Sequence, residues 1–274
     1  MKDISVIIPT YKPGNYLLEC LVSLENQTLA KEKYEIILIL NGSDKTSEVY
    51  VKDCMNRLTN IDIELLVTAT PGVSNARNLG LEFTSNKYVV FIDDDDMVSD
   101  NYLENILAKA NNESLIVSNI KAFYEDRNDA TKNYMSNAFN ELIKADNLDL
   151  YSSRQLLNTV HSKLIPLYLI GDTRFNIKLN IGEDTLFIAQ LSNKIKKLIL
   201  TDTSTIYYRR IRANSLTNQK VNIRAYLLNK LILIGHFSLT YLKSPMTYNF
   251  KFFTSRILAL SKKTFRDIID KKIG

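Results

Sequence analysis

The 274-residue sequence has no tryptophan, two cysteines, two histidines, five prolines and only eight glycines. Cys20 and Cys54 cannot build a disulfide framework and match no zinc-ligand spacing, which excludes a small cystine-stapled domain and fits a reducing compartment. So little glycine and proline excludes collagen-like and low-complexity chains. No G-x-G-x-x-G follows the first apolar run and no G-x-x-x-x-G-K-[ST] occurs anywhere, so the common dinucleotide and P-loop signatures are missing. Long apolar runs are also scarce. The opening MKDISVIIP carries one lysine before a run too short for a signal peptide, and it reads as a first strand of a cytosolic protein, or of one at the cytosolic face of a membrane.

What is present is ordinary globular composition, 45% apolar and 24% charged. The length allows one large domain, or one domain with an appendage. Residues 4–9, 34–40, 61–67, 88–92 and 115–120 are short β-branched runs that read as buried strands. Between them, residues 16–24, 49–58 and 73–83 repeat their apolar positions with helical spacing. This alternation predicts an α/β fold with a mostly parallel central sheet flanked by helices.

Ligands of such sheets bind beyond the carboxyl ends of the strands. The residues there are Thr10 and Tyr11, Asn41 to Ser43, Thr70 to Gly72, and the run Asp93, Asp94, Asp95, Asp96. Four successive carboxylates after a buried strand repel one another, and desolvation adds to the cost. A hard divalent cation relieves both, so the run predicts a Mg²⁺ or Mn²⁺ site. Strand alternation would place Asp93 and Asp95 on one side, with Asp94 and Asp96 on the other. The alternative is a solvated acidic turn before a helix near Tyr102, with Asp100 as its N-cap.

The segments SVIIPTY (5–11), LNGSDKT (40–46), PGVSNARNLGL (71–81), YVVFIDDDDM (88–97) and IGEDTLF (181–187) resemble, in order and spacing, the inverting family 2 glycosyltransferases of GT-A fold. The resemblance covers about the first 215 residues and implies a nucleotide-sugar donor, usually a UDP-sugar, bound with Mn²⁺ or Mg²⁺. It implies that Pro9, Thr10 and Tyr11 line the uracil and ribose pocket. Asn41 stands where the family usually has an aspartate that accepts the uracil N3 proton; its amide oxygen can still accept. Arg77 resembles an arginine near the nucleotide, able to bind phosphate or to pair with an aspartate. Asp93 is expected to contact the donor, Asp94 is the variable middle position, and Asp95, with Asp93, is expected to hold the metal.

Glu183 and Asp184 open a helix after Gly182, where acidic side chains also suit the helix dipole. Inverting transfer needs a carboxylate that removes the proton of the attacking hydroxyl. By resemblance Asp184 is that base and Glu183 is a neighbour that orients the acceptor or the base. Residues 159–175 resemble the acceptor-side linker, in which His161 reads as structural. Arg209 and Arg212, within YYRRIRANS (207–215), resemble a basic loop that closes over the diphosphate.

Eight of the chain's lysines and arginines and only two acids lie in residues 243–274, so the rest of the chain is nearly neutral against a total of +5. Apolar residues interleave with these cations, which suits either an anionic membrane surface or helices packed on the preceding domain. Residues 226–242 are too short and too polar for a membrane span. No nucleic-acid motif accompanies the basic tail, so nucleic acid is not expected as a partner. The reading divides the chain into a catalytic part (1–215, with a nucleotide-sugar half to 120) and a basic helical part (216–274).

Together these features imply transfer of a hexose, glucose or galactose favoured, from a UDP-sugar to a lipid-linked saccharide such as N-acetylhexosamine on undecaprenyl diphosphate. The setting would be O-antigen or capsule synthesis, with the enzyme peripheral on the cytoplasmic side of the bacterial inner membrane. The rivals are a nucleotidyltransferase and a non-catalytic membrane-bound scaffold that binds nucleotide sugars.

Overall fold

The computed structural model describes residues 2–42, 44–145, 148–212 and 223–269. Ser43, residues 213–215 of the arginine segment, the expected division at 215/216, and Asp270, Lys271 and Lys272 lie outside them. In chain order the elements are β1 (Ile4–Thr10), α1 (Tyr16–Glu25), β2 (Tyr34–Asn41), α2 (Lys45–Asn56), β3 (Ile63–Thr68), α3 (Val73–Phe83), β4 (Tyr88–Phe91), β5 (Met97–Val98) and α4 (Tyr102–Ala108). They continue as β6 (Ser114–Val117), β7 (Asn119–Phe123), β8 (Thr131–Lys132), α5 (Tyr134–Leu142), β9 (Lys163–Pro166), α6 (Leu167–Ile170), α7 (Glu183–Leu191), β10 (Lys197–Leu200), β11 (Ile206–Arg210), α8 (Ile223–Lys243) and α9 (Phe250–Ile269).

Seven strands form the main sheet in the order β10-β6-β9-β4-β1-β2-β3, and β5-β11-β7-β8 form a smaller one. In the main sheet β9 alone runs against its neighbours β4 and β6. Strands β1 and β4 are buried along their whole length because both faces are covered by helices. Strand β3 differs from the expectation of continuous burial. It is the sheet edge, and its residues are partly or fully exposed. The run 115–120 also divides, at buried Ser118. Ser118 N–H donates to Ser162 O (2.9 Å), and the chain passes from β6 in the large sheet to β7 in the small one.

Helix α3 lies close on β1 because Gly80 has no side chain; a Cβ there would stand 2.6 Å from Ile7 Cγ2. The N-cap of α4 is Asn101, not Asp100, and no side chain caps it.

The C-terminal helices pack on the rest of the chain. Leu233, Phe237, Phe252 and Phe253 join the same core as β1 and β4. At Gly182 (φ 92°) a Cβ would meet Leu233 Cδ2 at 2.5 Å, so α8 rests on the start of α7. Tyr248 O–H donates to Gln190 O (3.1 Å) from the turn between α8 and α9. Phe252, Phe253, Ile257 and Leu260, which the sequence pattern left open to either role, face the protein.

Candidate active site

Strands β1, β2 and β4 end side by side, and the residues beyond them meet in one crevice, as expected for a parallel sheet. Tyr11 presents a half-exposed ring beside Gly42 and Pro71. Pro9 is buried in β1, and buried Thr10 donates its hydroxyl to Asp94 Oδ2. Asn41 is only 3% exposed. Its amide donates to Thr10 O (2.8 Å) and its Oδ1 accepts from Gly72 N–H (2.9 Å), so it ties the end of β1 to the start of α3. A ligand base could still use the second lone pair of that oxygen or the second amide N–H.

The four aspartates are not arranged by strand alternation. Strand β4 stops at Phe91 and the run folds into a turn closed by Asp96 N–H donating to Asp93 O (3.1 Å). The carboxylates therefore diverge. Asp93 accepts from Arg77 Nη2 (2.9 Å), while Asp95 pairs with Arg212 Nε (2.5 Å). Asp96, 2% exposed, accepts from Tyr207 O–H (2.6 Å) and Arg210 N–H (2.7 Å), so it fastens β11 instead of facing the crevice. Burial, with Asp95 and Asp93 nearby, pushes the Asp94 carboxyl up to about 7 despite the Thr10 bond. Burial and Asp93 also raise Asp95, against the pull of Arg212.

Arg77 links the two carboxylate groups. Delivered by α3 and 3% exposed, it donates from Nη1 to Asp184 Oδ1 (2.6 Å) and from Nη2 to Asp93, with Glu183 at 3.7 Å. The pairing with aspartate expected of it is present, and with two aspartates at once. Burial raises Asp93, but Arg77, together with His161 and Arg209, outweighs it and holds that carboxyl below the usual carboxylate range. Asp184 stays above its ordinary value because burial exceeds the pull of Arg77. Burial and Asp184 push Glu183 up to about 7. Asp184 Oδ2 also accepts from Val160 N–H (3.3 Å).

Arg209 and Arg210 lie in β11, paired with β7, and not in a loop. The charge of Arg209 acts on Asp93 and His161. Arg210 is structural, donating to Asp95 O (2.9 Å) and Glu19 (2.6 Å).

Four side chains that sequence reasoning passed over belong here: His161, Lys163, Tyr207 and Asp96 in its anchoring role. His161 stacks on Tyr207 with centroids 4.9 Å apart, and its Nδ1 is 3.8 Å from Asp93 Oδ2. Burial lowers its pKa to about 3, so the ring is neutral. Ser162 beside it has φ 61°, a strained value for serine, which marks the segment as shaped by its surroundings. Lys163, fully buried in β9, is lowered by burial to about 7. For His161 and Lys163 the sequence signal was a histidine and a lysine inside an apolar stretch; Asp96 and Tyr207 lay within the aspartate run and the arginine segment, with nothing there to say that they bond each other.

The metal expectation can be tested on the carboxylates. Among the described residues no group of three or more His, Cys, Asp or Glu forms a ready-made cage. Mg²⁺ and Mn²⁺ need none: they are held by one or two carboxylates plus waters and substrate phosphates. Asp95 and Asp94 are adjacent and both raised, so a cation would relieve them, with Arg212 on Asp95 Oδ2 and Thr10 on Asp94 Oδ2 each leaving one carboxylate oxygen open. Asp93, assigned to the metal with Asp95 by resemblance, is instead held by Arg77.

The family model for glycosyl transferase family 2 matches residues 5–163, more than half of the chain. The minor teichoic acid biosynthesis protein GgaB of Bacillus subtilis is 31% identical over 76% of this chain and 23% of its own length. The structure of S. aureus TarS 1-349 in complex with UDP-GlcNAc superimposes with a TM-score of 0.70 at 20% identity, covering 86% of this chain and 66% of that one. Mannosyltransferase PcManGT from Pyrobaculum calidifontis, in complex with GDP-Man and Mn2+, gives 0.62 at 13% identity over 94% and 68%. The chain spans about a quarter to a third of the length of the curated relatives it matches. With the family model matched over more than half of its length, and its fold superimposing on these structures, the chain belongs to glycosyl transferase family 2 and has its GT-A fold.

Proposed function

We propose that the protein transfers a sugar from a UDP-sugar to a hydroxyl of a lipid-carried cell-envelope polymer, with inversion at the anomeric carbon. The observation that carries this reading is the Arg77 bridge between Asp93, on the nucleotide side, and Asp184, on the far side. A donor seated on Tyr11, Asn41 and the Asp94–Asp95 turn would present its anomeric carbon toward the second carboxylate group. Asp184 takes the proton of the attacking hydroxyl, and Glu183 beside it shares the charge. Arg77 keeps both carboxylate groups in register without being consumed. Asp95 and Asp94 would hold Mn²⁺ or Mg²⁺, which draws charge from the diphosphate when bound and makes the nucleotide a better leaving group.

The donor is a UDP-linked hexose, its N-acetyl form included, since TarS structures were solved with UDP and UDP-GlcNAc. For the acceptor, the names of GgaB and of poly(ribitol-phosphate) transferases favour a teichoic-acid-type polymer over the O-antigen or capsule unit that the sequence suggested. Its lipid carrier would bring the enzyme to the cytoplasmic face of the cell membrane. Among the described residues no helix is long and apolar enough to cross a membrane. Instead α8 exposes a stripe of Leu228, Leu231, Ile232, Leu239 and Leu242, with Arg224 and Lys243 at its ends. Such a stripe suits an anionic lipid surface.

The test is UDP release from UDP-glucose, UDP-galactose, UDP-GlcNAc and UDP-GalNAc, with and without Mn²⁺, offered lipid-linked saccharide or polyol-phosphate acceptors. Metal-dependent, acceptor-stimulated release supports the proposal. UDP binding with no release from any donor refutes it in favour of a scaffold.

A further inference from the structure

Arg256 lies in the basic tail yet is 6% exposed, deep between α9 and the segment that precedes β9. No carboxylate pairs with it among the described residues. Burial, with Arg154 nearby, lowers its pKa to about 9. A buried cation without a counter-ion is costly and persists only where hydrogen bonds compensate it. Its two terminal nitrogens supply them: Nη1 donates to Asn158 Oδ1 and Nη2 to Arg154 O (2.5 Å), while the guanidinium stacks 4.8 Å from the Phe252 ring. One helical arginine thus grips both ends of a single turn at 154–158.

That turn is tied to α7 at the base. Asn158 O accepts from Thr185 O–H (2.8 Å), the residue after Asp184. Two residues beyond Asn158, Val160 N–H donates to Asp184 Oδ2. Val160 and Leu157 are fully buried, so a displacement of the turn carries the amide with it.

We infer that Arg256 is a positioning residue for transfer: through Asn158 and the 154–160 turn it fixes the backbone amide that orients Asp184, which makes the C-terminal helices a part of the catalytic site. Membrane contact, if made by the outer face of α8, is a separate duty of the same hairpin. The inference rests on the transfer reading for its kinetic consequence, but the structural linkage stands apart from it.

The experiment compares Arg256→Met and Arg256→Lys with the wild type in a membrane-free assay, using the UDP-sugar that releases UDP fastest. A misplaced reacting group can cost about 10²-fold, so Arg256→Met should lower kcat at least about tenfold while donor KM and UDP affinity stay within about twofold. Arg256→Lys, which can still donate to one of the two acceptors, should recover part of kcat. Asn158→Leu should reproduce the Arg256→Met defect, and the double variant should add little to either. Amide exchange of residues 154–161 should accelerate in Arg256→Met. Unchanged kcat, or kcat loss matched by a rise in donor KM and loss of UDP binding, overturns the inference. If Arg256→Met fails to fold, Asn158→Leu decides by the same criteria. Failure of the wild type on every UDP-sugar would remove the transfer reading alone, and amide exchange would still decide whether Arg256 holds the turn.

Discussion

Replacing Arg77 by Met removes the cation that bonds both Asp93 and Asp184 and lies beside Glu183. The side chain is 3% exposed and contacts Asp184 at 2.6 Å and Asp93 at 2.9 Å, with Glu183 at 3.7 Å. Breaking a buried pair by deleting one partner costs about 3–5 kcal/mol, because the charge left behind is uncompensated. For a chain of this size each kcal/mol lowers Tm by roughly 2–3 °C, so Arg77→Met should lose about 10 °C at pH 7. The pH dependence follows from the direction of each shift. In the wild type Asp93 is depressed by Arg77 and contributes stability above the ordinary carboxylate range, lost as the pH falls through its depressed value. Without Arg77, burial and mutual repulsion leave Asp93, Asp184 and Glu183 all raised. A raised carboxyl contributes stability below its unfolded pKa, lost as pH rises toward its folded value, which for Glu183 is already about 7 in the wild type. The Tm deficit should therefore be largest near pH 8 and shrink toward pH 5. Calorimetry across that range checks both, and a deficit under about 2 °C, or one independent of pH, would refute the buried three-way neutralisation.

Three further outcomes are expected. Asp184→Asn should reduce kcat by about 10²–10⁴-fold with UDP affinity kept, measured by UDP release and isothermal titration. Tyr207→Phe deprives buried Asp96 of its 2.6 Å donor and should cost about 1–3 kcal/mol in a urea titration, with little change in the slope of the transition. Changing Leu231, Leu239 and Leu242 together to Gln should weaken sedimentation with anionic vesicles at least tenfold, since a leucine buried from water contributes about 1.5–3 kcal/mol, while solution activity stays the same.

Much of the site was legible because its residues sit where local pattern meets a general rule. The runs ending at Thr10, Asn41 and Phe91 are almost continuously apolar apart from Ser5 and Glu35 near their starts, so their strands and the crevice beyond them follow from the sequence, as does the helix opened by Glu183 and Asp184. The partners of these residues were not legible. Asp93 to Asp96 look alike in sequence, and only contacts with Thr10, Arg77, Tyr207 and Arg212 separate their roles. Strand β9 is a four-residue segment containing a lysine, and nothing in its pattern announces that it runs antiparallel between β4 and β6. Arg256 shares its surroundings in the sequence with Lys243, Lys251, Lys262, Lys263 and Arg266, which are all exposed; what distinguishes it is a turn about a hundred residues earlier. Long-range pairing, not propensity, decided each of these.

The central claim, displacement at the anomeric carbon by a hydroxyl that Asp184 deprotonates, is tested most directly by the configuration of the product. UDP-hexoses are α-linked, so the ¹H NMR spectrum of the first-formed glycoside should show the β-anomer alone. An α-linked product would contradict the account.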